Sequence, residues 1–156
     1  MTKLGVRVAT LLILTSIYWP PVPLAGQQCD GRLWQHVYHS QRLVPIRACV
    51  TVTGTIVFIK PEADGDLHMR LHLDPAYSSM LNGLNKSQQA GNLVIEPICF
   101  NKPTQGDAIP VCGSFRQQIQ IPAVGTHVTV TGAFVLDQEA GHGWNEIHPI
   151  TSMMAQ

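Results

Sequence analysis

Near the C-terminus, four side chains with chemical capacity occupy alternate positions: His142, Trp144, Glu146 and His148. Residues two apart on an extended strand point to the same face, so all four would share one surface. Imidazole nitrogens and a carboxylate at that spacing can ligate one metal ion. A second alternating segment, LHMRLHL, sets His68, Arg70 and His72 opposite Leu67, Met69, Leu71 and Leu73. The candidate metal set is therefore His68, His142, Glu146 and His148, with Glu96 approaching from a neighbouring strand. The candidate ligand-binding set is His68, Arg70, Trp144 and Glu146, with the Trp144 ring stacking on a sugar or base. A plainer reading gives these residues structural roles. Glu146 then pairs with Arg70 or Arg47, His142 belongs to a loop, His148 ends a strand beside Pro149, and Trp144 caps the core.

Other chemistries find little footing. No G-x-S-x-G elbow is present, and no glycine-rich loop of the phosphate- or dinucleotide-binding kind. Cysteines 29, 49, 99 and 112 form an even set, which in an exported chain favours two disulfides over reactive thiols. Cys29 with Cys49 and Cys99 with Cys112 close local loops, and the second pair pinches the proline-rich segment FNKPTQGDAIPV. A four-thiolate zinc site is disfavoured because no C-x-x-C pair exists.

Export is read from residues 1–26. Lys3 and Arg7 precede an apolar run from Val8 to Tyr18, too short to span a bilayer, and WPPVPLAG follows with cleavage expected after Ala25 or Gly26. Gln27 and Gln28 separate LAG from Cys29, which excludes a lipobox. About 130 residues then remain, enough for one domain and no membrane span. With Lys3 and Arg7 removed, eight Lys and Arg face ten Asp and Glu. That balance opposes non-specific binding to nucleic acid or to anionic membranes.

The elements that must position the candidate residues are mostly strands. Residues 27–48 form an arm with a short helical stretch, for which Asp30 is a plausible cap and Leu33, Trp34 and Val37 one side. Residues 49–156 form the main domain. Strands are expected over Cys49 to Lys60, Leu67 to Leu73, Asn92 to Cys99, Gly125 to Asp137 and Trp144 to Met153, with a helical stretch around Tyr77 to Leu84. VTVTGTIV in the first strand is echoed by VTVTGAFV in the fourth, and Gly54 and Gly132 are expected at bulges with positive φ. PEADGD and DQEAGHG read as turns.

Five strands with a glycine-bent first strand resemble the OB-fold, a five-stranded Greek-key barrel. A β-sandwich is the alternative, though five strands make a thin one. The DGD-x-H turn and the ending HGWNEIHP resemble a family of small exported prokaryotic OB-like proteins, which implies fold and location but carries no activity. Asp64-Gly65-Asp66 also resembles the D-G-D of the thermonuclease family, an exported OB-type fold that holds calcium beside a phosphate. The likeness covers three residues, and the arginines that such a site requires have no counterpart.

The resulting expectation is a secreted or cell-envelope OB-type binding module for a small polar, saccharide or peptide ligand or an envelope component, with or without a divalent metal. The rival is a metal-dependent hydrolase of the phosphodiesterase or nuclease kind, using His68, His142, Glu146 and His148. Mass spectrometry of the unreduced mature protein should show no free thiol, and removing either disulfide should cost about 2–5 kcal/mol. Four alkylatable cysteines would instead restore the zinc reading.

Overall fold

Residues 28–156 are described by the computed structural model; the signal segment expected over 1–26 lies outside the described residues. Val, Thr and Ile dominate the first long strand, and β-branched side chains suit a pleated surface. This strand, β1, spans Leu43–Pro61, so the last part of the expected arm is already extended. β2 spans Leu67–Leu73, β3 Leu93–Ile95, β4 His127–Asp137 and β5 Asn145–Ala155. Helix α1 (Gly83–Gln88) precedes β3, and the single turn α2 (Ile109–Cys112) follows it. The helical stretch expected near Tyr77 is split between a 3-10 segment, Pro75–Met80, and α1. β3 is shorter than expected: it stops at Ile95, and Pro97, which lacks an N–H, cannot extend a ladder.

The five strands form one mixed sheet. β1 pairs antiparallel with β2 and β4, β2 with β3, and β4 with β5, while β3 and β5 run parallel. The order β1-β2-β3-β5-β4 returns to β1, so each strand has two neighbours. Inside the ring, Leu67, Met69, Leu71 and Leu73 of β2 pack with Val52, Ile56, Phe134 and Ile147. The alternation read in β2 is the alternation observed.

The outer face of β4 is also covered. Ala133 and Val135, which flank the inward Phe134, meet Leu33 and Val37 of the arm, together with Ile98. The arm folds as a 3-10 helix, Gly31–His36, with Asp30 accepting a hydrogen bond from the Arg32 amide. Disulfides Cys29–Cys49 and Cys99–Cys112 pin the arm and the loop after β3. Glu146 of β5 lies opposite Val135, so it sits under this cover. A surface that alternation alone would leave wet is therefore dry.

Gly54 and Gly132 are needed, but for a reason other than positive φ. Neither is among the residues with positive φ. At Gly54 an added Cβ would run into the His72 carbonyl of β2, and this position is in regular register with both neighbouring strands. At Gly132, beside a register shift against β5, a Cβ would stand 2.5 Å from the Pro149 oxygen and 2.5 Å from Ile147 Cγ2. Close approach of a neighbouring strand excludes a side chain. Gly54→Val and Gly132→Val should each lower stability by about 3 kcal/mol in denaturant melts, the cost of overpacking against immobile backbone. A Gly54→Val protein that unfolds like the parent would remove the close approach as the constraint.

Candidate functional site

Pro97 ends β3 and leaves Glu96 at the junction of β2 and β5. The Glu96 amide donates to the Ile147 carbonyl at 3.0 Å, and its own carbonyl accepts from the Ile150 amide at 3.1 Å. The carboxylate is thereby fixed between two histidines. His68 Nδ1 donates to Glu96 Oε1 at 2.9 Å, and His148 Nδ1 approaches Glu96 Oε2 at 2.9 Å. His148 Nδ1 also lies 3.0 Å from Glu146 Oε1, and Trp144 Nε1 donates to Glu146 Oε2 at 3.1 Å. On the far side of its ring, His148 Nε2 stands 3.6 Å from Asp66 Oδ2. Asp66 opens β2 after a tight turn in which Gly65 has φ of 104°, and its Oδ1 accepts from the Cys99 amide at 2.6 Å. The disulfide loop thus closes over the cluster.

Burial and charge pull these groups in opposite directions. Burial opposes charge on His148, but the hydrogen bonds and charges of Glu146 and Glu96 hold its pKa well above the usual imidazole value. His68 is raised in the same way, with Glu96 outweighing burial. Burial alone would raise Glu96; His148 and His68 overcome it and hold that carboxyl far below its ordinary range. Burial pushes Asp66 up to about 8 against the pull of His148. Burial and the neighbouring charge of Glu96 raise Glu146.

Above the cluster lies an open groove of about 240 Å³, lined by Phe58, Lys60, Glu62, His68, Arg70, His142 and Trp144. Phe58 and Lys60 come from β1, His68 and Arg70 from β2, and Glu62 and His142 from the β1–β2 and β4–β5 loops. The segments PEADGD and DQEAGHG, read in the sequence as turns, thus border one groove. His142 stacks on Trp144 with centroids 4.1 Å apart, and its Nδ1 donates to Asp137 Oδ2 at 2.6 Å. Arg70 lies 4.7 Å from the centre of the Phe58 ring, and its Nε donates to Gln89 Oε1 at 2.8 Å. No carboxylate pairs with Arg70 among the described residues.

The residues singled out in the sequence divide between these two layers. His68 links them, with one nitrogen toward Glu96 and the other donating to Gln89 at 3.3 Å. Arg70 reaches the groove. Trp144 and Glu146 do not offer themselves to a ligand: Trp144 is 7% exposed with one face under His142, and Glu146 is 1% exposed. The pairing of Glu146 with Arg70 or Arg47 is not what the structure holds, since His148 and Trp144 take both carboxylate oxygens. Of the expected metal set, His68 and His148 fall into separate groups of possible ligands, Glu62–His68–Glu96 and Asp66–Glu96–His148. Glu146 and His142 belong to neither. Asp66 was legible as a turn residue and through the three-residue D-G-D likeness, but neither reading says that its carboxylate points at His148. Compared with protein-family models and with curated proteins, the chain has no significant match.

A buried pair broken on one side is strongly destabilising, so Glu96→Gln should cost about 3–5 kcal/mol in denaturant melts. The pH profile follows from the directions of the shifts. His68 and His148 keep protons in the folded state above about pH 6.5, where free imidazole releases them, so their contribution is full below that value and is lost as pH rises. Asp66 and Glu146, raised when folded, contribute fully below about pH 4 and lose that contribution as pH rises from there, Asp66 over the range up to about 8. Glu96, lowered, contributes above about pH 4.3 and loses that contribution as acid protonates it. With chelator present, stability should peak at about pH 4 to 5 and fall from there to about pH 9, most steeply once the histidines join above about pH 6.5. A flat profile there contradicts the charge assignment.

Proposed function

We propose that the chain is an exported OB-type binding domain that takes a small polar ligand bearing a carboxylate or similar anion, such as an acidic saccharide or an acidic peptide. The strand order, with β3 and β5 parallel, supports the OB assignment. Two disulfides support an oxidising location, and no helix among the described residues is long and apolar enough to cross a membrane. The kinship with small exported OB-like proteins read from HGWNEIHP is part of the same proposal.

The observation that carries the ligand reading is Arg70. A guanidinium held by Gln89 and the Phe58 face, without a carboxylate partner among the described residues, presents its terminal N–H groups to the groove. Planar donors of that kind suit a carboxylate bidentately. Lys60 adds positive charge beside it, although it also meets Glu62 at 3.3 Å. Binding is favoured over hydrolysis by burial. A hydrolytic metal keeps an open position for water or substrate, whereas Asp66, Glu96 and His148 are 1%, 5% and 0% exposed.

NMR titration of the mature protein with uronic-acid oligosaccharides and with acidic peptides should move the resonances of Phe58, Arg70 and His142. Arg70→Ala should weaken that binding by about 1.5–3 kcal/mol, the range for hydrogen bonds to charged groups, while the fold persists. Shifts that survive Arg70→Ala unchanged would place the ligand elsewhere.

A further inference from the structure

Three buried side-chain polar atoms have no hydrogen-bond partner among the described residues, and two of them face each other: His148 Nε2 and Asp66 Oδ2, 3.6 Å apart. Unpaired buried polar atoms are costly, and two converging ones ask for something between them. We propose that a divalent transition-metal ion of the zinc or manganese class binds between His148 Nε2 and Asp66 Oδ2, with Glu96 as the third protein ligand. This site is independent of the groove and of its ligand.

The spacing fits. Two ligand atoms each ~2.1 Å from a zinc ion, at a tetrahedral angle, stand about 3.4 Å apart. Asp66, Glu96 and His148 form a group in which one ligand atom of each residue lies within 4.8 Å of the others. The support behind the ligands fits as well. A metal-binding histidine usually donates its other ring N–H to a carboxylate, which fixes the tautomer and aims the free nitrogen. Here Nδ1 faces Glu146 at 3.0 Å and Glu96 at 2.9 Å, and Glu146 is itself held by the Trp144 indole. Asp66 is held by the Cys99 amide. Each ligand is oriented from behind by a different part of the chain.

The other possible group, Glu62–His68–Glu96, lacks this arrangement. Both His68 nitrogens are engaged, one with Glu96 and one with Gln89, so neither is free for a metal. Donor chemistry narrows the ion. One imidazole with two carboxylates suits zinc, manganese or ferrous iron, whereas calcium wants six to eight oxygens and copper(I) wants sulfur. Burial makes the site structural: the ion would tie the β1–β2 loop, the end of β3 and β5 together, loading as the chain folds.

The test is metal analysis of the untagged mature protein, disulfides intact, unfolded and refolded with zinc or manganese salt and then passed through chelating resin. About one ion per chain should remain, with a melting temperature several degrees above that of chelator-refolded protein. Cobalt in place of zinc should give visible ligand-field absorption. Asp66→Asn keeps the shape and removes the charged oxygen, so it should retain the fold by circular dichroism and lose the bound ion. Glu146→Gln, altering only the group behind His148, should weaken binding about 10–100-fold. Glu62→Gln should leave it unchanged. Retention below about a tenth of an equivalent by the parent overturns the proposal, leaving a protonated, metal-free cluster. Equal retention by Asp66→Asn, or loss on Glu62→Gln instead, overturns it too. If Asp66→Asn fails to fold, the cobalt spectrum and the Glu62→Gln and Glu146→Gln proteins still decide.

Discussion

A single buried carboxylate, Glu96, sets the terms for the rest of the molecule. Taking an ionised carboxylate out of water costs several kcal/mol even after relaxation, and only close partners in fixed positions offset it. Glu96 has two, His68 from β2 and His148 from β5. Its backbone hydrogen bonds to Ile147 and Ile150 hold it at the seam between those strands. The seam exists because β3 stops at Ile95 and Pro97 follows, which turns the chain away and leaves the acid facing outward from the ring.

The same arrangement separates two tasks. Charged groups that could do chemistry are mostly inside, where the low dielectric strengthens their coupling and keeps a ligand away. What faces solvent is a groove lined by the Arg70 guanidinium, the Lys60 ammonium, the Glu62 carboxylate and the rings of Phe58, His68, His142 and Trp144. His68 joins the layers: its ring floors the groove, and both its nitrogens reach beneath. Gln89 Oε1 accepts from both His68 and Arg70, so one side chain touches both layers.

Much of this was legible in the residues. Strict alternation in LHMRLHL placed four apolar side chains in the core, and the five-strand count and the local disulfide pairing both follow from simple rules. Alternation also put Glu146 and His148 on one face, and strand neighbourhood put Glu96 beside them. The environment of that face was not legible. Whether it is wet or dry depends on Leu33, Val37 and Ile98 folding across β4, contacts distant in sequence. Trp144 lies under the His142 ring and donates to Glu146, so it serves as a hydrogen-bond donor and not as a stacking platform. Asp66, which reads as part of a turn, is a buried neighbour of His148 beneath the loop after β3, where the Cys99 amide holds it. The glycines show a related limit. Gly54 and Gly132 mark special backbone in any strand, but only the packed structure shows that proximity of a neighbouring strand, rather than a left-handed φ, is the reason.

The disulfide loop and the charge cluster explain each other. A segment such as FNKPTQGDAIPV, with only one helical turn of its own, cannot by hydrophobic burial alone exclude water from four ionisable groups. Linking Cys99 to Cys112 removes much of the loop's freedom in the unfolded chain, so less entropy is lost when it closes over the sheet. Once closed, the loop donates the Cys99 amide to Asp66, the Asn101 amide to the Gly65 carbonyl and the Thr104 and Gln105 amides to the Ala63 carbonyl, so these backbone N–H groups are satisfied by the surface they cover. Water exclusion then strengthens the Glu96 pairs that anchor β2 to β5. A covalent link between two loop residues thus acts on electrostatics elsewhere in the sheet, with no direct contact between the sulfurs and the charges.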